Sequence, residues 1–369
     1  MTRVCILTSV HPPFDARIFH KQAKTLVKAG YDVTLIAQHD KDEVIDGIRI
    51  IALPRPRNRL WRMLGTWRVF RLALRQKADI YHIHDPELLP AGLLLKLVIR
   101  GKVIYDVHED YGKQILSKQY LPKNTRRLIA RFVNLIEKSA VKFFDTIIAV
   151  TDDIMKDFSY HKRAVLVRNF PILSAFSKME KNTNSGNVFS VIYAGGISEV
   201  RGISEIVEAM SYLDSAKNVR LVLCGKFEPE NYQDEIRILK GAEMVECLGW
   251  LESEEVWQKE TDANAGIVCL HPTERYRLPV KLFEYMAAGL PVIASDFPVW
   301  KGIVEGNNCG LTVNPLDPKE IAGAIEFLFD HPSEAKKMGE NGRKAVLEKY
   351  NWEVESRKLL ELYSRLIGD

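Results

Sequence analysis

The chain has 369 residues, of which 46% are hydrophobic and 27% charged, a balance typical of a folded globular protein with room for two domains. None of its five cysteines forms a CxxC pair or lies at zinc-ligand spacing from a histidine, so we expect free thiols in a reducing, cytosolic compartment. The first residues lack the pattern of a signal peptide, and no window of 18 apolar residues is present, which disfavours a secreted or membrane-spanning protein.

Strands and helices are predicted to alternate along the first part of the chain. Short apolar runs bounded by turn residues predict strands, and apolar residues at helical spacing predict helices between them. The strand candidates are residues 4–8, 33–37, 48–53, 80–83, 102–106 and 146–150. The helix candidates are residues 16–29, 60–76, 86–99 and 125–144.

A polar, apolar-poor stretch at 171–187 predicts a linker, after which the alternation restarts. We therefore predict an N-terminal domain at 1–170 and a C-terminal domain at 188–351, with the helix from about 352 to 369 packing back on the first domain. The second set of strand candidates is 189–193, 219–224, 245–248, 265–270, 291–294 and 310–313, and the final stretch, 341–367, is strongly helical by period. Two doubly wound parallel sheets bind ligands outside their strand ends, which predicts an active site in a cleft between the domains.

The stretch 277–296 predicts a loop, a helix, a glycine cap and a buried strand. Pro279 suits the first helical turn, where free backbone N–H groups can hold a diphosphate. Glu284 lies one turn inside the helix, where its carboxylate can accept hydrogen bonds from ribose hydroxyls. The alternative is a surface helix on which Glu284 pairs with Lys281.

A second stretch, 193–202, predicts a strand that runs into a glycine turn at Gly195 and Gly196, followed by Arg201 at a helix start. Glycine lets the backbone approach phosphates, and a cation neutralises charge on a leaving diphosphate. Lys226 follows the next strand and is a further candidate. An ordinary tight turn with a solvated arginine is the alternative.

Histidines follow two strand candidates of the first half. His108 comes after the strand at 102–106, and His84 with Asp85 comes after the strand at 80–83, so we expect all three near a ligand. A satisfied structural role is the alternative for His108. His82 and His84 share one face of a strand, but no Asp-x-Asp pair accompanies them, so no metal site is predicted.

The first strand–helix turn contains His11, Asp15 and Arg17 in place of GxGxxG, which disfavours a nicotinamide cofactor. Either these three side chains meet an acceptor, or Asp15 is only the N-cap of the helix. Residues 1–170 carry a net charge of +13 and residues 171–369 a net charge of −9. A helix that mixes arginines with aromatic residues predicts contact with an anionic membrane through Arg62, Trp67, Arg68 and Arg71. A solvated face is the alternative, and nucleic acid is disfavoured because no recognised motif is present.

The segment 279–296 resembles the donor-site signature of the retaining GT-B glycosyltransferases of family 4 type, also called glycosyl transferases group 1. That signature has two glutamates separated by seven residues, then Met-Ala-x-Gly-x-Pro-Val-Ile-Ala-Ser. Glu284 matches the second glutamate, whereas Tyr276 stands in the position of the first, as in a subgroup with Pro-x-Lys-Leu-Phe-Glu-Tyr-Met. In the glycine turn, Gly196 replaces the usual arginine and Arg201 replaces the usual lysine.

The resemblance implies a GT-B fold of two Rossmann-like domains and metal-independent transfer of a sugar, with retention, from a nucleoside diphosphate to a hydroxyl acceptor. It implies catalytic roles for His108 and Arg201. The implied donor-site residues are Gly195, Gly196, Arg201, Lys226, Tyr276, Leu278, Val280, Lys281, Leu282 and Glu284. We predict an acceptor side made of His11, Asp15, Arg17, His84, Asp85 and Glu109.

The predicted acceptor is a lipid-linked glycan or polysaccharide precursor at the cytosolic face of a bacterial membrane. Three other functions stay open. A non-catalytic GT-B protein that binds a nucleotide or a partner is favoured by Tyr276 and Gly196. A nucleotide-sugar 2-epimerase shares the fold, and a purely membrane-binding or nucleic-acid-binding protein would explain the basic half.

Overall fold

The computed structural model describes residues 1–369 except 57–58, 100, 109–110, 118–121, 162, 177–178, 181–187, 215, 275–277 and 369. Of residues 59–64, 113–114, 117, 123 and 274 it describes the backbone only. The chain divides into two compact units. Unit 1 is Met1–Asn169 with Val354–Asp369, and unit 2 is Phe170–Glu353.

In the described part of unit 1, eight strands form one sheet in the order β3-β4-β2-β1-β5-β6-β7-β8. All neighbours are parallel except β3, which pairs antiparallel with β4. The strands are β1 (Arg3–Leu7), β2 (Asp32–Gln38), β3 (Glu43–Ile45), β4 (Ile48–Leu53), β5 (Ile80–Ile83), β6 (Lys102–Val107), β7 (Thr146–Ala149) and β8 (Ala164–Leu166). The helices are α1 (Lys24–Lys28), α2 (Arg59–Gln76), α3 (Leu89–Val98), α4 (Tyr111–Ser117), α5 (Lys123–Ala140) and α6 (Asp152–Asp157), and a π-helical segment, Ala16–Ala23, precedes α1.

In the described part of unit 2, six parallel strands form a sheet in the order β11-β10-β9-β12-β13-β14. The strands are β9 (Phe189–Ala194), β10 (Val219–Cys224), β11 (Val245–Gly249), β12 (Ala265–Val268), β13 (Val292–Ser295) and β14 (Gly310–Val313). The helices are α7 (Leu173–Phe176), α8 (Ile203–Met210), α9 (Tyr232–Arg237), α10 (Ser253–Asp262), α11 (Val280–Ala288), α12 (Pro298–Val304), α13 (Pro318–Asp330) and α14 (Pro332–Glu348). The last helix, α15 (Trp352–Gly368), begins in unit 2 and lies mostly in unit 1.

Each sheet has one point where the strand order reverses. In unit 1 the chain proceeds from β1 to β2 on one side and returns to place β5 on the other side of β1. In unit 2 the same reversal separates β9 from β12. Beyond the carboxyl ends of two such strands a crevice opens, and this is where open α/β sheets bind ligands.

The predicted architecture of two parallel-sheet α/β domains is confirmed. The core strands β5, β7, β12 and β13 are buried at every position, which explains why most of their residues are apolar. The stretch 341–367, predicted to be helical, contains the end of α14 at Glu348 and the start of α15 at Trp352. The Asn351 side chain donates hydrogen bonds to the carbonyls of Val346 and Leu347 and so satisfies the end of α14.

Among the described helices, none is at once long enough and apolar enough to cross a membrane.

Candidate functional site

Four side chains at the carboxyl ends of β5 and β6 form a group that we call the histidine cluster: the buried His82, His84 and Asp106 and the partly exposed His108. His82 lies opposite Ile104 in the parallel pairing, so two residues further on His84 comes beside Asp106. The rings of His82 and His84 stack with centroids 4.5 Å apart. His84 Nδ1 and His108 Nε2 share a hydrogen bond of 3.0 Å.

Asp106 is the anionic centre of the histidine cluster. Arg17 donates to both of its carboxylate oxygens, from Nε at 3.1 Å and from Nη2 at 3.0 and 2.9 Å, and Gln22 Nε2 donates to Oδ2. Burial by itself would raise the pKa of Asp106, but the charge of Arg17 holds that pKa well below its usual range. Asp106 is therefore an ionised carboxylate that neutralises a buried guanidinium.

The histidines of the cluster are neutral. Burial lowers the pKa of His108 to about 4 despite the charge of Asp106, and burial likewise lowers the pKa values of His82 and His84. His82 Nδ1 shares a hydrogen bond of 2.8 Å with the hydroxyl of Tyr363 on α15. The C-terminal helix thus holds the His82 ring of the stacked pair through Tyr363, and His108 holds the His84 ring.

The donor atoms of His82, His84 and Asp106 lie within 4.8 Å of one another, which raises the question of a metal ion. These residues do not fit one. Asp106 already accepts from Arg17 and Gln22, so a divalent cation would lie directly beside the guanidinium. One ring nitrogen of His82 is engaged by Tyr363. We interpret the group as a hydrogen-bonded network.

The turn after β1 is attached to the residue that follows His84. Asp85 is buried and accepts hydrogen bonds from the hydroxyl of Thr8 at 2.9 Å and from the N–H and hydroxyl of Ser9 at 2.6 and 3.2 Å. It therefore bridges the crevice between β1 and β5. These hydrogen bonds explain the buried position of Asp85, so no contact with a sugar acceptor is needed to account for it.

The predicted acceptor-side residues separate into two groups. His11 and Asp15 are partly exposed, and their side chains pair at 3.3 Å. Asp15 also accepts from the N–H groups of Arg17 and Ile18, so it is the N-cap of the π-helical segment, which was the alternative prediction. The Asp15 contact raises the pKa of His11 although burial opposes it.

Three other predicted acceptor-side residues lie deeper in unit 1 than His11 and Asp15. Arg17 Nη1 and His84 Nε2 have no hydrogen-bond partner among the described residues, but Arg17, His84 and Asp85 are all buried and each bonds to another side chain of unit 1. The reason is that Arg17 and Asp106 satisfy each other's charge in the interior. Glu109 lies outside the described residues.

In unit 2 a glycine turn follows β9 at the strand reversal. The carbonyl of Cys224 accepts from Gly195 N–H at 2.8 Å, and Gly249 accepts from Gly225 N–H at 2.7 Å. Gly225 has a φ of +156°, and a Cβ there would lie 1.8 Å from the Gly195 carbonyl oxygen. Only glycine fits this crossing of two strand ends. Gly196 is exposed beside it.

Two cations belong to the same edge of this sheet. Arg201 lies half-buried in the turn that leads to α8, and no described carboxylate forms an ion pair with it. Lys226 is exposed directly after Gly225, with Nζ 5.5 Å from the centre of the Trp250 ring. Backbone N–H groups and cations at strand ends are the groups that bind phosphates.

Helix α11 begins near the carboxyl end of β12, on the other side of the reversal. Pro279 is its N-cap, one position earlier than predicted, and Leu278 and Val280 are half-buried around it. Leu282 is fully buried, so its side chain belongs to the core and not to a ligand surface. Tyr276 lies outside the described residues.

The carboxylate of Glu284 pairs with Lys281 Nζ at 2.6 Å, as the alternative prediction for this helix has it. Lys281 is not free to bind phosphate, because its ammonium also donates to the buried Glu260 at 3.0 Å. These contacts do not exclude a ligand, since Glu284 remains partly exposed at 14%. They show that the predicted donor-site helix carries an internal ion network.

Sequence reasoning missed two carboxylates that matter here, Asp106 and Glu260. Asp106 is recognisable from the sequence, because a charged residue within the apolar run of β6 requires a buried partner. Glu260 is not, because it belongs to a helix rich in charged residues and its partner comes from another helix. Tyr285 was also missed as a contact, although its hydroxyl accepts from Ala194 N–H at 2.9 Å.

The predicted membrane residues lie on α2. Trp67 is 57% exposed, and Arg68 and Arg71 are exposed beside it. The side chain of Arg62 lies outside the described residues. The geometry permits surface contact by this helix but gives no partner.

Comparisons with known proteins agree with the fold. Residues 16–165 match the family model described as Glycosyltransferase Family 4, and residues 175–345 match the model described as Glycosyl transferases group 1. The MMP alpha-(1->4)-mannosyltransferase of Mycolicibacterium hassiacum is 23% identical over 311 residues, which cover 82% of this chain and 74% of that protein.

Solved structures resemble the chain over nearly its whole length. Sucrose-phosphate synthase from Thermosynechococcus elongatus superposes with a TM-score of 0.81 at 20% identity, with 100% of each chain covered. Anabaena Alr3699/HepE, solved in complex with UDP-glucose, has a TM-score of 0.74 at 15% identity and covers 99% of this chain and 100% of its own. These likenesses establish the GT-B fold. Together with the two family matches, they identify the chain as a GT-B glycosyltransferase of group 1.

Proposed function

We propose that the protein transfers a sugar from a nucleoside diphosphate to a hydroxyl acceptor, with retention of the anomeric configuration. The observation that carries the proposal is the set of groups at the carboxyl ends of the unit 2 strands, around the β9–β12 reversal. A glycine turn, Arg201, Lys226 and the start of α11 belong to that set, and Glu284 follows one turn later. This is a diphosphate-binding arrangement with a carboxylate in reach of a ribose.

In the proposed reaction the bond between C1 of the sugar and the leaving phosphate oxygen breaks. The acceptor oxygen forms its bond to C1 on the same face, and its proton passes to the leaving phosphate oxygen. Arg201, Lys226 and the free N–H groups of α11 stabilise the charge of the leaving diphosphate, so no metal ion or other cofactor is required. His108, held neutral by burial, contacts the donor sugar in this scheme.

A thermal-shift screen tests donor binding. The purified protein is heated with UDP, GDP, ADP, TDP and their sugars, with and without EDTA. One nucleotide and its sugars should raise the melting temperature by mass action, and EDTA should leave the shift unchanged. If none of them shifts it, the donor-site assignment is wrong and a non-catalytic GT-B protein becomes the better hypothesis.

Product stereochemistry tests retention. An α-linked donor should give an α-linked product, read from the anomeric coupling constant in the proton NMR spectrum. A β-linked product would exclude the proposed same-face attack. Interconversion of the donor sugar without any transfer would instead indicate an epimerase.

We also propose that the acceptor is a lipid-linked glycan or polysaccharide precursor, reached at the cytosolic face of an anionic membrane. The exposed surface of α5 supports membrane contact, in addition to the exposed surface of α2. Leu128, Phe132 and Leu135 are 70%, 62% and 64% exposed, at the spacing of one helical face, and exposed Arg127 and Arg131 flank them. An apolar row with basic flanks is typical of helices that lie on anionic bilayers.

The charge of α5 favours a bilayer over a second copy of the chain. Glu137, the acidic residue in the α5 sequence, is buried and accepts a hydrogen bond from Tyr105 at 2.7 Å. The described exposed charges of the helix are therefore all positive, and two copies paired through it would repel each other.

Sedimentation with lipid vesicles tests this surface. The double variant Leu128→Ser, Phe132→Ser should lose binding to vesicles that contain anionic lipid, because the exposed apolar row no longer inserts. Reversal of the exposed Lys336 and Lys337 in unit 2 is the matched control and should leave binding intact. Equal binding of the wild type and the double variant would rule out the α5 surface as the membrane contact.

A further inference from the structure

The donor-site helix α11 is supported by a buried carboxylate from a neighbouring helix. Glu260 on α10 has no exposed surface, and its Oε1 accepts from Lys281 Nζ at 3.0 Å. Its Oε2 has no hydrogen-bond partner among the described residues. A buried carboxylate costs free energy unless it is well paired, and an apolar side chain at such a position is often neutral or stabilising. The fold of unit 2 alone therefore gives no reason for a carboxylate here.

Lys281 connects Glu260 to Glu284. Its ammonium lies between the two carboxylates, at 3.0 Å from one and 2.6 Å from the other. Lys281 and Glu284 are three residues apart on α11, and such a pair on its own is weak because a lysine stem has many rotamers. The contact with Glu260 removes that freedom, since Glu260 is held inside the protein.

The backbone of α11 is fixed by different contacts. The hydroxyl of Tyr285 accepts from Ala194 N–H at the end of β9. Gly266 on β12 makes room for the Tyr285 ring, because a Cβ at that glycine would lie 2.3 Å from a ring atom. The helix therefore keeps its place without Glu260, and what Glu260 determines is the side-chain arrangement at Lys281 and Glu284.

We propose that Glu260 is a positioning residue of the donor site, which holds Lys281 so that Glu284 presents its carboxylate to the ribose hydroxyls in one orientation. The inference rests on the proposed function, in which Glu284 binds the ribose. Burial raises the pKa of Glu260 despite the nearby Lys281, and Glu260 Oε1 still accepts from the Lys281 ammonium.

The experiment compares two ligands by calorimetric titration: the nucleoside diphosphate that binds the wild type, and its 2′,3′-dideoxy analogue. Hydrogen bonds to a charged group predict that the wild type prefers the ribose form by roughly 10- to 100-fold. Glu260→Leu should lose most of this preference while its affinity for the dideoxy analogue and its melting temperature stay close to wild type. Glu260→Gln should keep most of it, because the amide oxygen still accepts from Lys281.

Two further variants separate positioning from general damage. In a Glu284→Ala background, Glu260→Leu should have no additional effect on the ribose preference. Glu326→Leu is the control. Glu326 pairs with Lys217, which precedes the amino-terminal end of β10, away from the strand ends of the donor site, so this variant should bind the nucleoside diphosphate and the dideoxy analogue as the wild type does. Equal losses for both ligands, or an unchanged preference in Glu260→Leu, would overturn the inference while leaving donor binding established. A wild type that binds no nucleotide would overturn the proposed function and this inference with it.

Discussion

The substitution Asp106→Asn tests whether the histidine cluster rests on a buried ion pair. The change keeps the shape of the side chain and removes its charge, which leaves the guanidinium of Arg17 buried without a counter-ion. The side chains are only 4% and 0% exposed, so water cannot take the place of the lost carboxylate. Removal of one partner of such a pair costs about 3–5 kcal/mol. For a unit of this size that lowers the melting temperature by roughly 6–20 °C.

The chain offers a matched control in Asp152→Asn. Asp152 also accepts twice from one arginine, Arg168 Nη2 at 3.0 and 2.8 Å, but it is 61% exposed. Loss of that surface pair should cost less than about 1 kcal/mol. Differential scanning calorimetry measures both variants, and far-ultraviolet circular dichroism verifies that they fold. Equal small effects would refute the buried ion pair, and so would a double variant Arg17→Met, Asp106→Leu that is no more stable than Asp106→Asn.

Three further predictions concern the candidate sites. Glu284→Ala should weaken nucleotide binding roughly 10- to 100-fold in calorimetric titration, and unchanged affinity would contradict its ribose role. His108→Ala should lower kcat in a transfer assay while nucleotide affinity stays the same, because the imidazole is assigned to the sugar; a parallel loss of nucleotide affinity would contradict that. Gly225→Ala should destabilise unit 2 by at least about 2 kcal/mol in thermal unfolding, since its Cβ meets a backbone carbonyl oxygen, and a normal melting temperature would show that the crossing is looser than described.

Most of the fold follows from the sequence because the central strands of both sheets, such as β1, β5, β12 and β13, are buried on two faces. Such strands are short apolar runs, and the carboxyl end of each is marked by polar residues or glycine, as at Gly195 and His84. Short edge strands could not be predicted in this way. β3 and β8 have three residues each and are only partly buried, so neither length nor apolar pattern distinguishes them from loops.

The candidate site was predictable only in part. Glycines and cations after strands can be found along the chain, whereas the partners of buried charges cannot. Arg17 and Asp106 are 89 positions apart, and only the fold shows that Arg17 neutralises a buried carboxylate. Glu260 and Lys281 belong to two different helices, and neither sequence shows that these two side chains pair. Long-range pairing of charges is a property of the tertiary structure, and residue type alone does not determine it.

The two buried carboxylates predict opposite responses of the two units to pH. The pKa of Asp106 is lowered in the folded state, so its stabilisation is present above its unfolded pKa and is lost as the pH falls; the lowered pKa of His108 acts in the same direction below about pH 6.5. Burial raises the pKa of Glu260 from 4.5 to about 8, so folded unit 2 holds a proton that the unfolded chain releases, and stability declines as the pH rises between these values. Glu260→Gln cannot titrate, so its melting temperature relative to wild type should increase from pH 5 to pH 8. A constant difference across this range would mean that Lys281 keeps Glu260 ionised.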